Sequence, residues 1–88
     1  MKQVKGSKDW WEVFKDSRIG NATYKQFKNG KETGLFIEKE ENSHRRFFAY
    51  KYEVFRSGAG VNGTAGYLAG SRTLKGAIAL TEGESGNA

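Results

Sequence analysis

The dipeptide Asn29-Gly30, set between two segments of alternating polar and apolar residues, constrains this fold more than any other feature. Two-residue hairpin loops need positive φ at both positions, which Asn and Gly tolerate best. In the predicted hairpin, Lys28 faces Lys31 and Tyr24 faces Leu35. One strand face carries the set expected in the core, Ala22, Tyr24, Gln26, Thr33, Leu35 and Ile37. The other mixes charged with aromatic side chains: Thr23, Lys25, Phe27, Glu32, Gly34, Phe36 and Glu38.

Strand-forming segments precede and follow this hairpin. Residues 10–14 are aromatic or β-branched except for Glu12, which suits a strand. Residues 44–56 predict a longer strand, and within residues 47–55 the even positions are uniformly apolar or aromatic whereas the odd positions are mixed. A period of two predicts that the even set faces the core and the odd set faces solvent or a partner. The even set is Phe48, Tyr50, Tyr52 and Val54, and the odd set is Phe47, Ala49, Lys51, Glu53 and Phe55.

The C-terminal third of the chain predicts one loop and one helix. Residues 57–70 are rich in glycine and are predicted to form a loop, whereas residues 71–82 suit a short helix ended by Gly83. Its core-facing positions would be Leu74, Ala77, Ile78 and Thr81. Residues 1–8 are expected to be a flexible N-terminus and residues 83–88 a tail. The prediction is a single small α+β domain: a four-stranded antiparallel β-meander with one C-terminal α-helix packed on one face.

The spacing of Gly58, Gly60 and Gly63 matches the G-x-G-x-x-G pattern of dinucleotide-binding folds. That site requires a strand, a tight turn and then a helix whose N-terminus meets the pyrophosphate. Glycines interrupt the segment that follows, and 25 residues after Gly63 are too few to complete such a unit. A mobile lid, or a loop whose amides contact a phosphate backbone, are the remaining interpretations.

Catalytic and metal-binding residues are scarce. The chain has no cysteine and a single histidine, His44, so thiol chemistry and cysteine-based metal sites are excluded. Glu38, Glu40 and Glu41 are expected to form a solvated acidic edge. We therefore expect no enzyme activity, no cofactor and no metal. A charged N-terminus and the lack of an apolar run of about 20 residues predict a cytoplasmic protein.

Interleaved cations and aromatic residues carry the functional prediction. Fifteen Lys and Arg against ten Asp and Glu give a net charge of +5, which favours a polyanion partner such as DNA or RNA. Lysines and arginines would contact phosphates, and exposed rings would stack on bases. The predicted nucleic-acid-binding residues are Lys25, Phe27, Lys28, Lys31, Phe36, Arg45, Arg46, Phe47, Lys51 and Arg56.

Two alternatives stay open for the same residues. The rings could form a second small core, or they could anchor a protein-interaction module or inhibitor. A compact, lysine-rich domain of this kind is similar to accessory proteins of phages and plasmids, some of which inhibit host defence enzymes. The acidic stretch 38–41 favours a protein partner, because carboxylates repel phosphates. A homodimer formed through a sheet edge is a further expectation.

Overall fold

The computed structural model describes residues 1–40 and 51–85, with side chains described through residue 82. Within these residues the chain forms one antiparallel sheet whose six strands lie in sequence order, followed by a helix. The α+β class and the antiparallel meander with a C-terminal helix are thus confirmed. The strands are β1 (Lys2–Gln3), β2 (Trp10–Asp16), β3 (Asn21–Lys28), β4 (Lys31–Lys39), β5 (Tyr52–Arg56) and β6 (Gly66–Ser71), and the helix is α1 (Leu74–Ser85).

The predicted number of four strands is wrong, because β1 and β6 were not expected. β6 occupies the second half of the segment predicted as a loop, and β1 lies in the predicted flexible N-terminus. Both strands are sheet edges that depend on pairing with a neighbour, β1 with β2 and β6 with β5. Such pairing overrides weak local preference, since β-propensity depends strongly on context. The first part of the predicted fourth strand, residues 44–50, lies outside the described residues.

The β3–β4 hairpin turns at Asn29-Gly30 as predicted, with φ of +54° and +77°. Lys28 pairs with Lys31, but Tyr24 pairs with Ile37 and not with Leu35. A bulge explains the difference: one residue of β3, Gln26, opposes residues 33–35 of β4 between the pairs on either side. Gly34 provides the left-handed conformation there, with φ of +96°. Because the register shifts by two residues, the predicted assignment of side chains to faces survives.

The core lies between one face of the sheet and α1. Its buried members come from β2, β3, β4, β5 and the helix: Trp10, Ala22, Tyr24, Leu35, Ile37, Val54 and Ala77. Val4, Tyr52, Leu68, Leu74 and Ile78 pack against this cluster. Val54 and Tyr52 therefore point inward, as the alternation of the fourth predicted strand indicated. Each fully buried aliphatic side chain contributes roughly 1.5–3 kcal/mol to folding.

The helix begins at Leu74, three residues after the predicted start, because Thr73 caps it, and it continues to Ser85, past the predicted end at Gly83. The backbone N–H of Gly76 donates to Thr73 Oγ1 at 3.0 Å, which satisfies one of the first-turn donors. Ser71 supports the cap, since its Oγ accepts from the N–H of Thr73 at 3.3 Å. Ala77 and Thr81 are buried against the sheet, so the predicted core-facing side of the helix is confirmed.

Candidate nucleic-acid interface

The sheet face opposite the helix, called here the outer face, carries a continuous row of large side chains. Strand pairing places these residues side by side across five neighbouring strands, from β2 to β6. Directly paired residues in antiparallel strands project to the same side of the sheet, with Cβ atoms about 5 Å apart. We call this set the aromatic row: Trp11, Lys25, Phe36, Phe55 and Tyr67.

The rings at the centre of the aromatic row contact one another. Phe36 and Phe55 stack with centroids 5.3 Å apart and planes inclined by 16°. Phe55 meets Tyr67 edge-on, at 5.8 Å and 75°. These are favourable geometries for aromatic pairs, each of which contributes about 0.5–1.5 kcal/mol beyond burial. The row is therefore a fixed surface with a defined shape, and Tyr67 at its end is 36% exposed.

The predicted site residues of the β3–β4 hairpin do come together. Lys25 pairs with Phe36 and forms an ion pair with Glu32, with 3.1 Å between Nζ and Oε1. Phe27 lies opposite Glu32 and is half-buried on the same face. Lys28 and Lys31 are exposed at the end of the hairpin, beyond Phe27. By strand alternation these two lysines belong to the opposite side of the sheet from Phe27, at the solvated end of the hairpin.

Other predicted residues lie elsewhere. Arg56 pairs with Leu35, whose side chain is buried in the core, so the register places Arg56 on the helix side of the sheet. Lys51 precedes β5, is half-buried, and its carbonyl accepts a hydrogen bond from the backbone N–H of Glu40. Arg45, Arg46 and Phe47 lie outside the described residues.

Three members of the aromatic row were missed as site residues. Trp11 follows the buried Trp10, and alternation alone would have turned it outward. Phe55 was placed on the solvent side of its strand but was not assigned to the site. Tyr67 is absent from the predicted site because the sequence predicts a loop at these residues. Its place in the aromatic row follows from the pairing of β6 with β5.

Carboxylates share the outer face with these rings. Glu38 pairs with Glu53 on β5, and Glu53 is only 5% exposed, contrary to the expectation that odd positions of this strand face solvent. Burial raises the pKa of Glu38, and nearby Glu40 adds to this effect. The Thr23 hydroxyl, which donates to Glu38 Oε2 at 2.9 Å, and the charge of Lys25 partly offset the rise. The outer face is thus mixed in charge near β4 and β5.

Among the described residues, no group of three or more His, Asp or Glu side chains is placed to hold a metal ion. Within the same part of the chain, the helix is too short to cross a bilayer. Comparison of the chain with protein-family models, with curated proteins and with solved structures gave no match.

Proposed function

We propose that this protein binds single-stranded nucleic acid on the outer face of its sheet and has no catalytic role. The aromatic row supports this proposal best. It presents four rings and a lysine on adjacent strands, which is the combination that stacks on unpaired bases and neutralises phosphates. Each base stacked on an aromatic ring is worth about 1–3 kcal/mol, so two or three stacks suffice for useful affinity.

The arrangement of the rings favours a single strand over a duplex. The bases of a duplex are stacked on each other, whereas those of a single strand can be turned onto aromatic side chains. Since Phe55 occupies one side of the Phe36 ring, a base would stack on the other side, toward Lys25. The phosphate of that nucleotide would then lie near an ammonium group.

The lysines of the hairpin suggest a direction for the strand. Lys25 on β3 and the exposed Lys28 and Lys31 at the turn follow one another along the hairpin. A strand that passes from Lys25 around the exposed end of the hairpin would contact all three lysines and release counterions, and three such contacts predict a salt-dependence slope of about −2 for a single strand. The net charge of +5 supports the same approach through long-range attraction.

The test is fluorescence anisotropy of a labelled 15-mer of deoxythymidine, measured from 50 to 300 mM salt. We expect Phe36→Ala to weaken binding about tenfold, while the matched control Leu80→Ala, an exposed apolar position on the helix, leaves it unchanged. The double variant Lys28→Gln/Lys31→Gln should lower the salt slope by about 1.4. Failure of the wild-type chain to bind this oligonucleotide at 50 mM salt would refute the proposal.

A protein partner is the second candidate, and the carboxylates of the outer face favour it. Glu32 holds Lys25 in an ion pair, and Glu38 lies on a strand that carries one of the stacked rings. These charges repel phosphates but suit an interface with a basic partner. In that case Phe36→Ala would abolish retention of a co-purifying protein and leave oligonucleotide binding unchanged. A homodimer through a sheet edge would have to use β1 or β6, because β5 lies inside the described sheet.

A further inference from the structure

The helix side of the sheet carries a cavity of about 470 Å³, bounded by β1, β2, β3 and the first turn of α1. Three lysines from separate elements line it: Lys2 on β1, Lys5 in the turn that follows, and Lys75 in the helix. This is the opposite side of the sheet from the aromatic row. The cavity is therefore independent of the proposed nucleic-acid surface.

The turn that forms one wall of the cavity is held by hydrogen bonds. The backbone N–H of Val4 donates to the Trp10 carbonyl at 2.9 Å, and the N–H of Ser7 donates to the Val4 carbonyl at 3.1 Å. The Gln3 side-chain amide donates to the Lys8 carbonyl at 3.0 Å. These bonds fix the backbone on both sides of Lys5, so the wall is preformed.

The cavity has both an apolar and a polar side. Val4, Leu74 and Ile78 supply apolar surface and also pack on the core. Glu12 and Tyr24 are paired across β2 and β3, and the Tyr24 hydroxyl donates a hydrogen bond to the Glu12 carboxylate. One such bond uses only part of the acceptor capacity of a carboxylate, so Glu12 can accept another from a ligand.

Charge in the cavity is unbalanced. Three exposed lysines and one glutamate line it, and the first turn of α1 contains no acidic residue. Lys75 lies where the helix dipole disfavours a cation, because the N-terminal end of a helix is positive. A bound anion would balance this excess of positive charge. Lysines bind phosphate as point charges, without the fork geometry that arginine uses for carboxylates.

We propose that this cavity binds the phosphate monoester of a small molecule whose partly apolar body carries an amino or hydroxyl group. The phosphate would contact Lys2, Lys5 and Lys75, and the body would lie on Val4, Leu74 and Ile78. The amino or hydroxyl group would donate to Glu12. The volume is within the range of about 300–1,000 Å³ typical of small-molecule sites.

The test is an NMR titration of the full chain with 4-aminophenyl phosphate, phenyl phosphate and inorganic phosphate. We expect the amide signals of Lys5, Glu12 and Lys75 to shift while those of Phe36 and Phe55 do not, with a dissociation constant below about 1 mM for 4-aminophenyl phosphate. Phenyl phosphate should bind more weakly, and inorganic phosphate weakest.

Two double variants with the same change in net charge distinguish binding in this cavity from nonspecific electrostatic attraction. Lys5→Gln/Lys75→Gln should weaken binding of 4-aminophenyl phosphate at least tenfold, whereas Lys8→Gln/Arg72→Gln, exposed positions that do not line the cavity, should leave it within twofold. Glu12→Ala, which leaves no acceptor at this position, should remove the preference for the amino compound over phenyl phosphate. Equal losses in the two double variants, shifts spread over both faces of the sheet, or no shifts at 10 mM would overturn the proposal. Oligonucleotide binding measured on the same samples reports separately on the outer face.

Discussion

Phe36 and Phe55, on the neighbouring strands β4 and β5, stack on the face of the sheet that the helix leaves open, with ring centroids 5.3 Å apart. Their pairing is adjacent to the pair Ile37 and Val54, which point to the core. β4 and β5 thus form one apolar side-chain pair on each face of the sheet. The outer contact resembles a core contact in geometry, but its two rings are only half-buried and lie beside Lys25 and Tyr67.

The stacked pair should contribute measurably to stability. In a double-mutant cycle of Phe36→Ala and Phe55→Ala followed by urea denaturation, we expect a coupling free energy of about 0.5–1.5 kcal/mol. The same cycle on Phe36 and Tyr67, which are two strands apart, should give a clearly smaller value. Equal coupling in both cycles would mean that the rings act only through shared burial.

Gly76→Ala should destabilise the protein, although alanine normally stabilises a helix interior by roughly 1 kcal/mol. A methyl group at this position would overlap Ser71 Oγ and approach Thr73 Oγ1 to 3.0 Å, so the capping side chains leave no room for it. We expect a loss of about 1–3 kcal/mol in the free energy of unfolding, measured by urea titration. Ser71→Ala combined with Gly76→Ala should recover part of the loss, and a stabilised single variant would contradict the packing argument.

Tyr24 should make stability depend on pH in the alkaline range. Burial, with the charge of Glu12 next in importance, raises its pKa from 10.0 to about 12. The folded state therefore holds this proton more tightly than the unfolded state. The resulting stabilisation is complete below pH 10 and is lost as the pH rises through 12, by up to about 2–3 kcal/mol.

The matched variant is Tyr24→Phe, which cannot ionise. The difference in unfolding free energy between the wild-type chain and this variant should shrink between pH 10 and 12, because titration of all other groups is common to both. Absorbance at 295 nm should show the Tyr24 ionisation near pH 12 in the folded protein. If the difference in unfolding free energy stays constant from pH 10 to 12, the fold does not raise the pKa of Tyr24.

Glu38 should destabilise the fold at neutral pH. Since burial raises its pKa, the folded state favours the protonated carboxyl, and stability falls as the pH rises through the folded pKa. Glu38→Gln should therefore be more stable than the wild-type chain at pH 7, and the advantage should disappear at pH 4. The amide oxygen can still accept the hydrogen bond from Thr23.

The same variant reports on the proposed function. Removal of a carboxylate from the outer face should raise affinity for the 15-mer severalfold at 50 mM salt, because repulsion of phosphates is reduced. If Glu38→Gln leaves nucleic-acid binding unchanged, the bound strand does not pass over β4. If it weakens binding, the outer face is not the nucleic-acid surface.

The sequence predicts some elements well because their signals are local. Asn29-Gly30 requires a specific turn, and the helical period of Leu74, Ala77, Ile78 and Thr81 is unambiguous. The bulge at Gly34 could not be predicted, because a glycine in a strand indicates a bulge without giving its size. The predicted face of each side chain is still correct, because the register shifts by two residues and alternation has a period of two.

The candidate site was predicted only in part, because its members depend on strand pairing across distant positions. Lys25, Phe27 and Phe36 lie on one hairpin, where alternation from the turn gives the face of each residue and the bulge at Gly34 places Lys25 opposite Phe36. Tyr67 reaches the aromatic row through β6, whose glycines and small residues have little intrinsic strand preference. Arg56 was assigned by charge, and charge carries no information about which face a residue occupies.

The order of the strands also has a consequence for folding during synthesis. Each strand pairs with the one made just before it, so the sheet can grow by successive hairpins while the polypeptide leaves the ribosome. The helix follows the described strands along the chain, and until it docks, Ile37 and Val54 have no cover from that side. A chain released before residue 74 is made would therefore expose the apolar side of its sheet to solvent, and we expect that species to aggregate or to be captured by chaperones.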